Sequence, residues 1–176
     1  IAWGNEVRIV DKQLKPLNAN EEGEIAVRGT NVMKGYFKNP DATSDALVNG
    51  WLLTGDLGIM DGEGYVFVKG RTKELIIKGG ENIAPREIDE ALYEHPDVVD
   101  AAAFAVEESH YGQEVEACVS LVSGSSCSSN ELVEFCRPRL GEFKTPRKIH
   151  IMEDLPKGPS GKIQRLRLAE MTQDLS

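Results

Sequence analysis

The sequence has no long apolar run and no surplus of basic residues. No stretch approaches the roughly 20 apolar residues of a membrane-spanning helix, and no charged segment followed by an apolar one opens the chain as in a secretory signal. The 176 residues include 29 acidic and 20 basic side chains, which leaves a net charge of -9. This sign argues against a nucleic-acid partner or an anionic membrane surface. The missing span and signal predict a cytoplasmic protein. Because the net charge is negative, any anionic ligand should be bound by a local group of basic residues.

Cysteine and histidine are scarce and scattered. The three cysteines have even spacing that fits neither a paired disulfide framework nor the close pairs of a zinc site. The three histidines form no H-x3-H or H-E-x-x-H pattern. We therefore predict reduced cysteines that serve packing, and no metal site. The residues concerned are Cys118, Cys127, Cys136, His95, His110 and His150.

The first part of the chain, residues 1–72, has the periodicity of β-strands. Several short runs alternate apolar and polar side chains, and Asp61-Gly62-Glu63-Gly64 has the composition of a hairpin turn between the last two runs. One short helix is predicted from about Ala42 to Val48. This part is predicted to be a small barrel or sandwich-like sheet.

The second part, residues 73–176, mixes helical and strand patterns. Ser128 and Glu131 have the spacing of a capping box, and Pro138 should end or kink the helix that follows. The predicted helices are at about Arg86–Glu94, from Ser128 onward, and at about Arg165–Met171. The predicted strands are at Leu75–Ile77, Val98–Val106, Glu114–Val122 and around Ile149 and Ile151. The predicted fold class is therefore α+β, with a small β-rich part followed by a compact α+β domain.

The stretch GRTKELIIKGGENIAPREID, residues 70–89, links the two parts. It contains a basic turn with Arg71 and Lys73, then a short apolar strand, then the glycine pair Gly79 and Gly80. Because glycine lacks a Cβ, backbone amides in this flexible loop can approach a ligand closely. From the residue types alone, a solvated basic turn followed by an ordinary loop is the alternative.

Three segments resemble motifs of the adenylate-forming enzymes, the superfamily of acyl-CoA synthetases, luciferases and peptide-synthetase adenylation domains. Residues 70–89 are similar to the hinge motif of that family. Residues 50–56, GWLLTGD, look like its TGD motif, and residues 155–165, LPKGPSGKIQR, look like its terminal GK motif. One such motif is a weak signal. Three in the family's order, spread over nearly the whole chain, are specific.

The resemblance implies that Asp56 and Arg71 bind the nucleotide. Asp56 follows Thr54 and Gly55 in a tight turn, where a carboxylate can accept hydrogen bonds from both vicinal hydroxyls of a ribose. Taken without the resemblance, the same aspartate would be read as a stabiliser of an Asx-type turn.

Lys162 is the catalytic residue that the resemblance implies. A compact ammonium on a long stem suits a bridge between a substrate carboxylate and the α-phosphate as negative charge builds. The run Gly158-Pro159-Ser160-Gly161-Lys162-Ile163 is not a P-loop, because two residues rather than four separate its glycines and Ile163 stands where Ser or Thr would hold magnesium. The alternative for Lys162 is one more surface lysine.

The resemblance also implies a hinge at Lys73 and a CoA passage. The domain after the hinge would swing between an adenylation pose and a thioester-forming pose. The second pose would bring residues to the pantetheine and nucleotide of CoA: Gly79, Gly80, Glu81, Phe143 and Lys144. The match to the family weakens at Thr145, where several relatives have a second basic residue, and at Pro138.

The expected protein is an AMP-forming acyl-CoA synthetase of which this chain is the C-terminal portion. Residues 1–72 would end the large N-terminal domain, and residues 73–176 would be the mobile lid. The complete enzyme would use ATP, Mg²⁺ and CoA with a carboxylic acid, either fatty or aryl. This segment alone would hold none of these and be inactive, because nothing in it resembles the upstream ATP motifs. The alternatives are an enzyme that loads a carrier-protein thiol and a truncated, non-catalytic interaction fragment.

Overall fold

A computed structural model describes residues 3–173, so residues 1–2 and 174–176 of the predicted domains lie outside the described residues. The chain divides into two compact units between Lys73 and Glu74. Each unit has a sheet of its own, and helices accompany both sheets. This mixture confirms the α+β class.

The first unit is organised around one long strand, β4. β2 pairs with one edge of β4, β1 pairs with the outer edge of β2, and all the ladders are antiparallel. The opposite edge of β4 carries β3 at one end and β5 at the other. The strands are β1 (Asn5–Val10), β2 (Gly23–Gly29), β3 (Leu47–Val48), β4 (Trp51–Met60) and β5 (Val66–Arg71).

The first sheet is open, so the described residues of this unit form neither a closed barrel nor a two-sheet sandwich by themselves. Because β3 and β5 share one edge of β4, the sheet is only four strands wide. A sheet this narrow does not close. Within residues 3–173 no ladder joins β1 to β3 or β5.

The short helix α1 (Pro40–Ala46) lies slightly earlier than predicted. Asn39 caps it by accepting a hydrogen bond from the Ala42 amide, and Pro40 occupies the first turn, where its missing N–H costs nothing. The next residues leave the helix to form β3. Asn49 and Gly50 both have positive φ, of 52° and 81°, and join β3 to β4 as a two-residue turn.

The second unit is organised around strand β9. β8 pairs antiparallel along one edge of β9, while the other edge carries the parallel strand β10 and the antiparallel β6. β7 pairs with β6. The strands are β6 (Ile76–Lys78), β7 (Glu81–Ile83), β8 (Val98–Glu108), β9 (Gly112–Leu121) and β10 (Lys148–Ile151).

Helices cover both faces of this second sheet. The buried clusters are those of Ile76, Ile88 and Leu132 on one face and of Phe104 and Leu168 on the other. Each fully buried side chain of this size contributes about 1.5–3 kcal/mol. None of the described helices is long and apolar enough to span a membrane. The helices are α2 (Pro85–Tyr93), α3 (Ser129–Lys144) and α4 (Leu168–Gln173), the last preceded by a 3-10 turn at Arg165–Arg167.

Helix α3 begins as predicted and breaks later than predicted. Ser128 accepts a hydrogen bond from the Glu131 amide, and Glu131 accepts one from the Ser128 amide, so the capping box is confirmed. The helix continues past Pro138. Its backbone turns non-helical at Gly141, where φ is 71°. Glycine adopts this φ without a Cβ penalty, so the break falls there.

Candidate functional site

Asp56 and Arg71 are register partners on β4 and β5. Arg71 Nε lies 3.2 Å from Asp56 Oδ1, and the two side chains are 60% and 33% exposed. An exposed ion pair of this kind adds little stability. Within residues 3–173, Arg71 is the one side chain that pairs with the Asp56 carboxylate, so that carboxylate has acceptor capacity left for a ligand.

The backbone that presents Asp56 is held on both sides. The Thr54 hydroxyl donates to the Ile25 carbonyl (2.8 Å) and accepts from the Asp56 amide (3.1 Å). Gly55 has φ of +74°, and its amide donates to the Glu24 carboxylate (2.9 Å). The Thr54 hydroxyl and the positive φ of Gly55 thus shape the turn, and the turn presents the Asp56 carboxylate, which is 33% exposed.

Lys73 lies in a 3-10 turn, Thr72–Glu74, at the division between the two units. The Thr72 hydroxyl donates to the Gly55 carbonyl at 3.1 Å, which ties the start of this turn to the Asp56 strand. Lys73 itself is exposed, and its ammonium has no partner in the part of the chain that the structure describes.

Lys162 lies on one arm of a small hairpin. The Gly158 amide donates to the Lys162 carbonyl (2.8 Å), the Gly161 amide donates to the Gly158 carbonyl (2.9 Å), and Lys157 and Ile163 form a bridge. Gly161 has φ of +76°, the left-handed conformation that ends such a turn. The two glycines thus build a tight turn, in line with the prediction that the run is not a P-loop.

The two lysines of this hairpin are in opposite situations. Lys157 Nζ lies 2.7 Å from Asp100 Oδ2 and 3.5 Å from Asp154 Oδ1. The Asp100 hydrogen bond is the main reason why the pKa of Lys157 is raised above its ordinary value. Lys162 is exposed, and no described side chain pairs with its ammonium. Lys162 is therefore the cation of this hairpin that is available to a ligand.

Gly79 and Gly80, predicted to lie in a loop, form a two-residue turn between β6 and β7. Their φ values are +56° and +85°, and Lys78 and Glu81 pair across the turn. The Gly79 amide donates to the Tyr111 carbonyl (3.0 Å). Strand β7 had not been predicted, because three residues with one apolar side chain carry too little periodicity to indicate a strand.

Phe143 lies beside this glycine turn. Lys78 is buried, and its ammonium donates to the Phe143 carbonyl at 2.9 Å and lies 4.9 Å from the Phe143 ring centroid. Lys78 also pairs with buried Glu114 at 2.6 Å. Sequence reasoning missed Lys78 and Glu114. Lys78 lies in the hinge motif but was assigned no role there, and Glu114 stands in no motif, so nothing local marks the two as a pair. Lys144 is already paired, 2.8 Å from both carboxylate oxygens of Glu87.

The structure therefore groups the predicted residues into three clusters. Asp56 and Arg71 form one cluster in the first unit. A second cluster lies around the β6–β7 turn of the second unit and contains Gly79, Gly80, Glu81 and Phe143. Lys144 is the residue that follows Phe143. Lys162 lies on a separate hairpin of that unit.

Family models match both units. The model described as AMP-binding enzyme C-terminal domain matches residues 87–162, and the one described as AMP-binding enzyme matches residues 1–37. The chain belongs to the adenylate-forming superfamily. Residues 87–162 match the C-terminal domain of that superfamily.

Curated relatives of this chain are CoA ligases. A sulfoacetate–CoA ligase of Cupriavidus necator is 49% identical over 166 residues, which cover 94% of this chain and 33% of the relative. A long-chain-fatty-acid–CoA ligase of Bacillus subtilis is 45% identical over 150 residues, covering 85% of this chain and 27% of the relative. The chain spans about a third of the length of the first relative and less of the second.

Solved structures share the fold. ATP-bound MatB from Rhodopseudomonas palustris is 34% identical with a TM-score of 0.90, over 98% of this chain and 35% of that one. MenE from Bacillus subtilis, in complex with ATP and a magnesium ion, is 38% identical with a TM-score of 0.87, over 94% of this chain and 34% of that one. Both neighbours carry a nucleotide.

Proposed function

We propose that the protein containing this chain is an AMP-forming acyl-CoA ligase. It activates a carboxylic acid with ATP and then passes the acyl group to CoA. The observation that carries the proposal is Lys162, an exposed lysine on a hydrogen-bonded hairpin whose ammonium has no partner among residues 3–173. The chain belongs to this family and also presents a carboxylate with acceptor capacity left, that of Asp56, beside Arg71.

Asp56 and Arg71 hold the ribose of the nucleotide. A carboxylate with free acceptor capacity suits two vicinal hydroxyls, and the contact with Arg71 orients that carboxylate. The MatB structure contains ATP, and the MenE structure contains ATP and a magnesium ion. Mg²⁺ would be held outside this chain, because the metal-binding motif of the family is not among its residues.

Lys162 acts in the first half-reaction. A carboxylate oxygen of the acid attacks the α-phosphorus of ATP, a new phosphorus–oxygen bond forms, and pyrophosphate leaves with the electrons of the broken bond. The ammonium of Lys162 offsets negative charge on the α-phosphate and on the carboxylate during this step. A lysine without protein partners needs to break no ion pair to do so.

The second half-reaction uses the other face of the mobile domain. When the second unit turns about Lys73, Lys162 moves away from the nucleotide. The same movement brings the Gly79–Gly80 turn and Glu81 to the pantetheine arm of CoA. Two residues without side chains leave room for a thin chain. Phe143 and Lys144 meet the nucleotide of CoA, with Lys144 exchanging Glu87 for a phosphate. The thiol sulfur then attacks the acyl carbonyl, and AMP leaves.

The proposed acid is fatty or aryl, and the proposed acceptor is free CoA. Residues 73–89 resemble the hinge of fatty-acid and aryl-acid ligases, which favours a fatty or aryl acid. The named relatives are ligases of acids as different as sulfoacetate and long-chain fatty acids. A carrier-protein thiol is the second candidate acceptor, and a comparison of acyl transfer to free CoA and to a carrier protein separates the two. A non-catalytic fragment is the remaining alternative.

The test of the proposal is Lys162→Ala in the full-length protein, with each half-reaction measured separately. Adenylation should fall by roughly 100-fold or more, the scale for removing a transition-state charge contact. Thioester formation from supplied acyl-adenylate and CoA should stay nearly unchanged. Lys148→Ala, which removes an exposed lysine of the same unit, should alter neither step. Equal loss of both half-reactions would refute the role of Lys162.

The chain by itself provides a second test. If the ATP motifs lie in residues outside it, the purified 176-residue chain should form no acyl-adenylate. Substrate-dependent release of pyrophosphate from this chain would contradict that part of the proposal.

A further inference from the structure

Arg165 lies three residues beyond Lys162 and makes contacts on three sides. Its Nη2 lies 2.6 Å from Asp89 Oδ2, and its Nη1 lies 3.2 Å from Asp89 Oδ1. Its Nε donates to Glu74 Oε2 at 3.1 Å, and its Nη1 also donates to the Ala103 carbonyl. The planar fork of a guanidinium can serve all these acceptors at once, and an ammonium cannot.

This network is largely removed from solvent. The side chains of Arg165, Asp89 and Glu74 are 15%, 11% and 30% exposed. Burial alone would lower the pKa of Arg165, but the hydrogen bonds and charges of Asp89 and Glu74 hold it above the ordinary value. The carboxylate of Asp89 also accepts from the Ala103 amide at 2.7 Å. Buried charges paired in this way hold a narrow geometry, because any partner left alone would be costly.

The partners of Arg165 belong to different parts of the second unit. Glu74 is the first residue after Lys73, Asp89 lies on helix α2, and Ala103 lies on strand β8. Arg165 therefore joins the C-terminal side of the Lys162 hairpin to the residue that follows the hinge.

The other arm of the hairpin has its own attachment. Lys157 pairs with Asp100 on β8 at 2.7 Å, and the Gln164 amide donates to the Pro156 carbonyl at 2.7 Å. The turn that carries Lys162 is thus attached at both ends, while the Lys162 ammonium has no partner in the described part of the chain.

We propose that Arg165 is a positioning residue for Lys162, which makes the hinge-side residue Glu74 and the catalytic hairpin move as one body. This inference rests on the proposed role of Lys162 in adenylation. A turn at Lys73 then carries the ammonium through a defined arc. Without the Glu74 and Asp89 contacts the hairpin has more conformational freedom. A displacement of the Lys162 ammonium by about 1 Å can lower the rate of adenylation by up to roughly 100-fold.

The test uses Arg165→Lys and Glu74→Gln in the full-length protein. Arg165→Lys keeps the charge and loses the bidentate contact with Asp89. Glu74→Gln leaves the Asp89 contact intact and weakens only the hinge-side one, so it remains informative if Arg165→Lys fails to fold. We expect adenylation to fall by roughly 10- to 100-fold in Arg165→Lys and by less in Glu74→Gln. The rate of thioester formation from supplied acyl-adenylate should change by less than about twofold.

Hydrogen exchange provides a readout that does not depend on activity. The Gly158, Gly161 and Gln164 amides, which close the hairpin, should exchange faster in both variants, while amides in the core of β9 should not. Arg167→Gln is the matched control, because Arg167 is exposed and its guanidinium bonds only to the Gln164 side chain among the described residues. It should leave both half-reactions unchanged.

Two outcomes would overturn this inference. One is equal loss of both half-reactions, which would make Arg165 a general stabiliser of the fold. The other is no change in adenylation, whether or not the hairpin amides exchange faster. Parallel measurement of Lys162→Ala shows whether the inference about Arg165 or the proposed function itself has failed. If Lys162→Ala blocks adenylation selectively while Arg165→Lys and Glu74→Gln do not, the inference alone is wrong.

Discussion

Asp56 and Arg71 face each other across the β4–β5 ladder, with Arg71 Nε 3.2 Å from Asp56 Oδ1. Both side chains are partly open to solvent, so their attraction adds little to folding. The strand register thus presents an acceptor and a cation side by side without using either to build the core. That arrangement gives the first prediction.

Asp56→Asn should weaken nucleotide binding and leave folding nearly intact. Replacing a charged acceptor by a neutral one of the same shape should reduce affinity by roughly 10- to 100-fold, since hydrogen bonds to charged groups contribute about 1.5–3 kcal/mol. Calorimetric titration of the full-length protein with AMP measures this. Asp45→Asn, an exposed aspartate on α1, makes the same change in charge and should not alter affinity. Unaltered affinity in Asp56→Asn would remove Asp56 from the ribose site.

Lys73→Pro should affect the two half-reactions unequally. Thr72 lies in a 3-10 turn, and a following proline disfavours that helical conformation while fixing φ at residue 73. One pose of the mobile domain should therefore be favoured at the expense of the other. Separate assays of adenylation and thioester formation measure the imbalance. Lys73→Ala keeps the backbone freedom and should leave both rates near those of the unmodified protein, so equal loss in Lys73→Pro would place the hinge elsewhere.

Gly79→Ala should destabilise the second unit more than Gly80→Ala does. A positive φ costs a residue with a Cβ about 1–2 kcal/mol, and both glycines have one. A Cβ on Gly79 would also lie 3.2 Å from Tyr111 Cδ1, whereas a Cβ on Gly80 would meet open space. Urea unfolding measures the difference. Gly62→Ala, at a glycine without positive φ or close neighbours, should be nearly neutral. A larger loss for Gly80→Ala would contradict this account of the turn.

Glu116→Gln should reduce the dependence of stability on acid pH. Burial acts to raise the pKa of Glu116, but hydrogen bonds from His150 (2.7 Å) and Arg147 (2.7 Å) hold it below the ordinary value of 4.5. A carboxyl with a lowered folded pKa contributes stability above its unfolded pKa and loses it as pH falls through the folded one. Chemical unfolding from about pH 7 to pH 3 should show Glu116→Gln less stable at neutral pH, with the difference shrinking below about pH 4.5. Glu153→Gln, at an exposed glutamate, should follow the unmodified profile, and a constant difference at all pH values would show that the charge of Glu116 is not involved.

Local sequence predicted the elements of the second unit well. The capping pair Ser128 and Glu131 marked the start of α3, a continuous apolar run marked β8, and apolar alternation marked β9. Such signals come from neighbouring residues, so they can be recognised without the fold. The three-residue strand β7 and the break at Gly141 were missed, because one depends on its partner strand and the other on where the chain turns back.

The sequence by itself determined the order of motifs, the family and the identity of the candidate residues, because each motif is a local run whose chemistry depends on residues a few positions apart. Only the tertiary structure decided which basic side chains form ion pairs with carboxylates and which remain available to a ligand. Among residues 3–173, Lys162 has no charged partner, whereas carboxylates hold each of Lys157, Lys144 and Arg165. Arg165 meets Asp89 and Glu74 across 76 and 91 residues of chain. The packing of hairpin, helix and strand brings such distant groups together, and no local pattern encodes that distance.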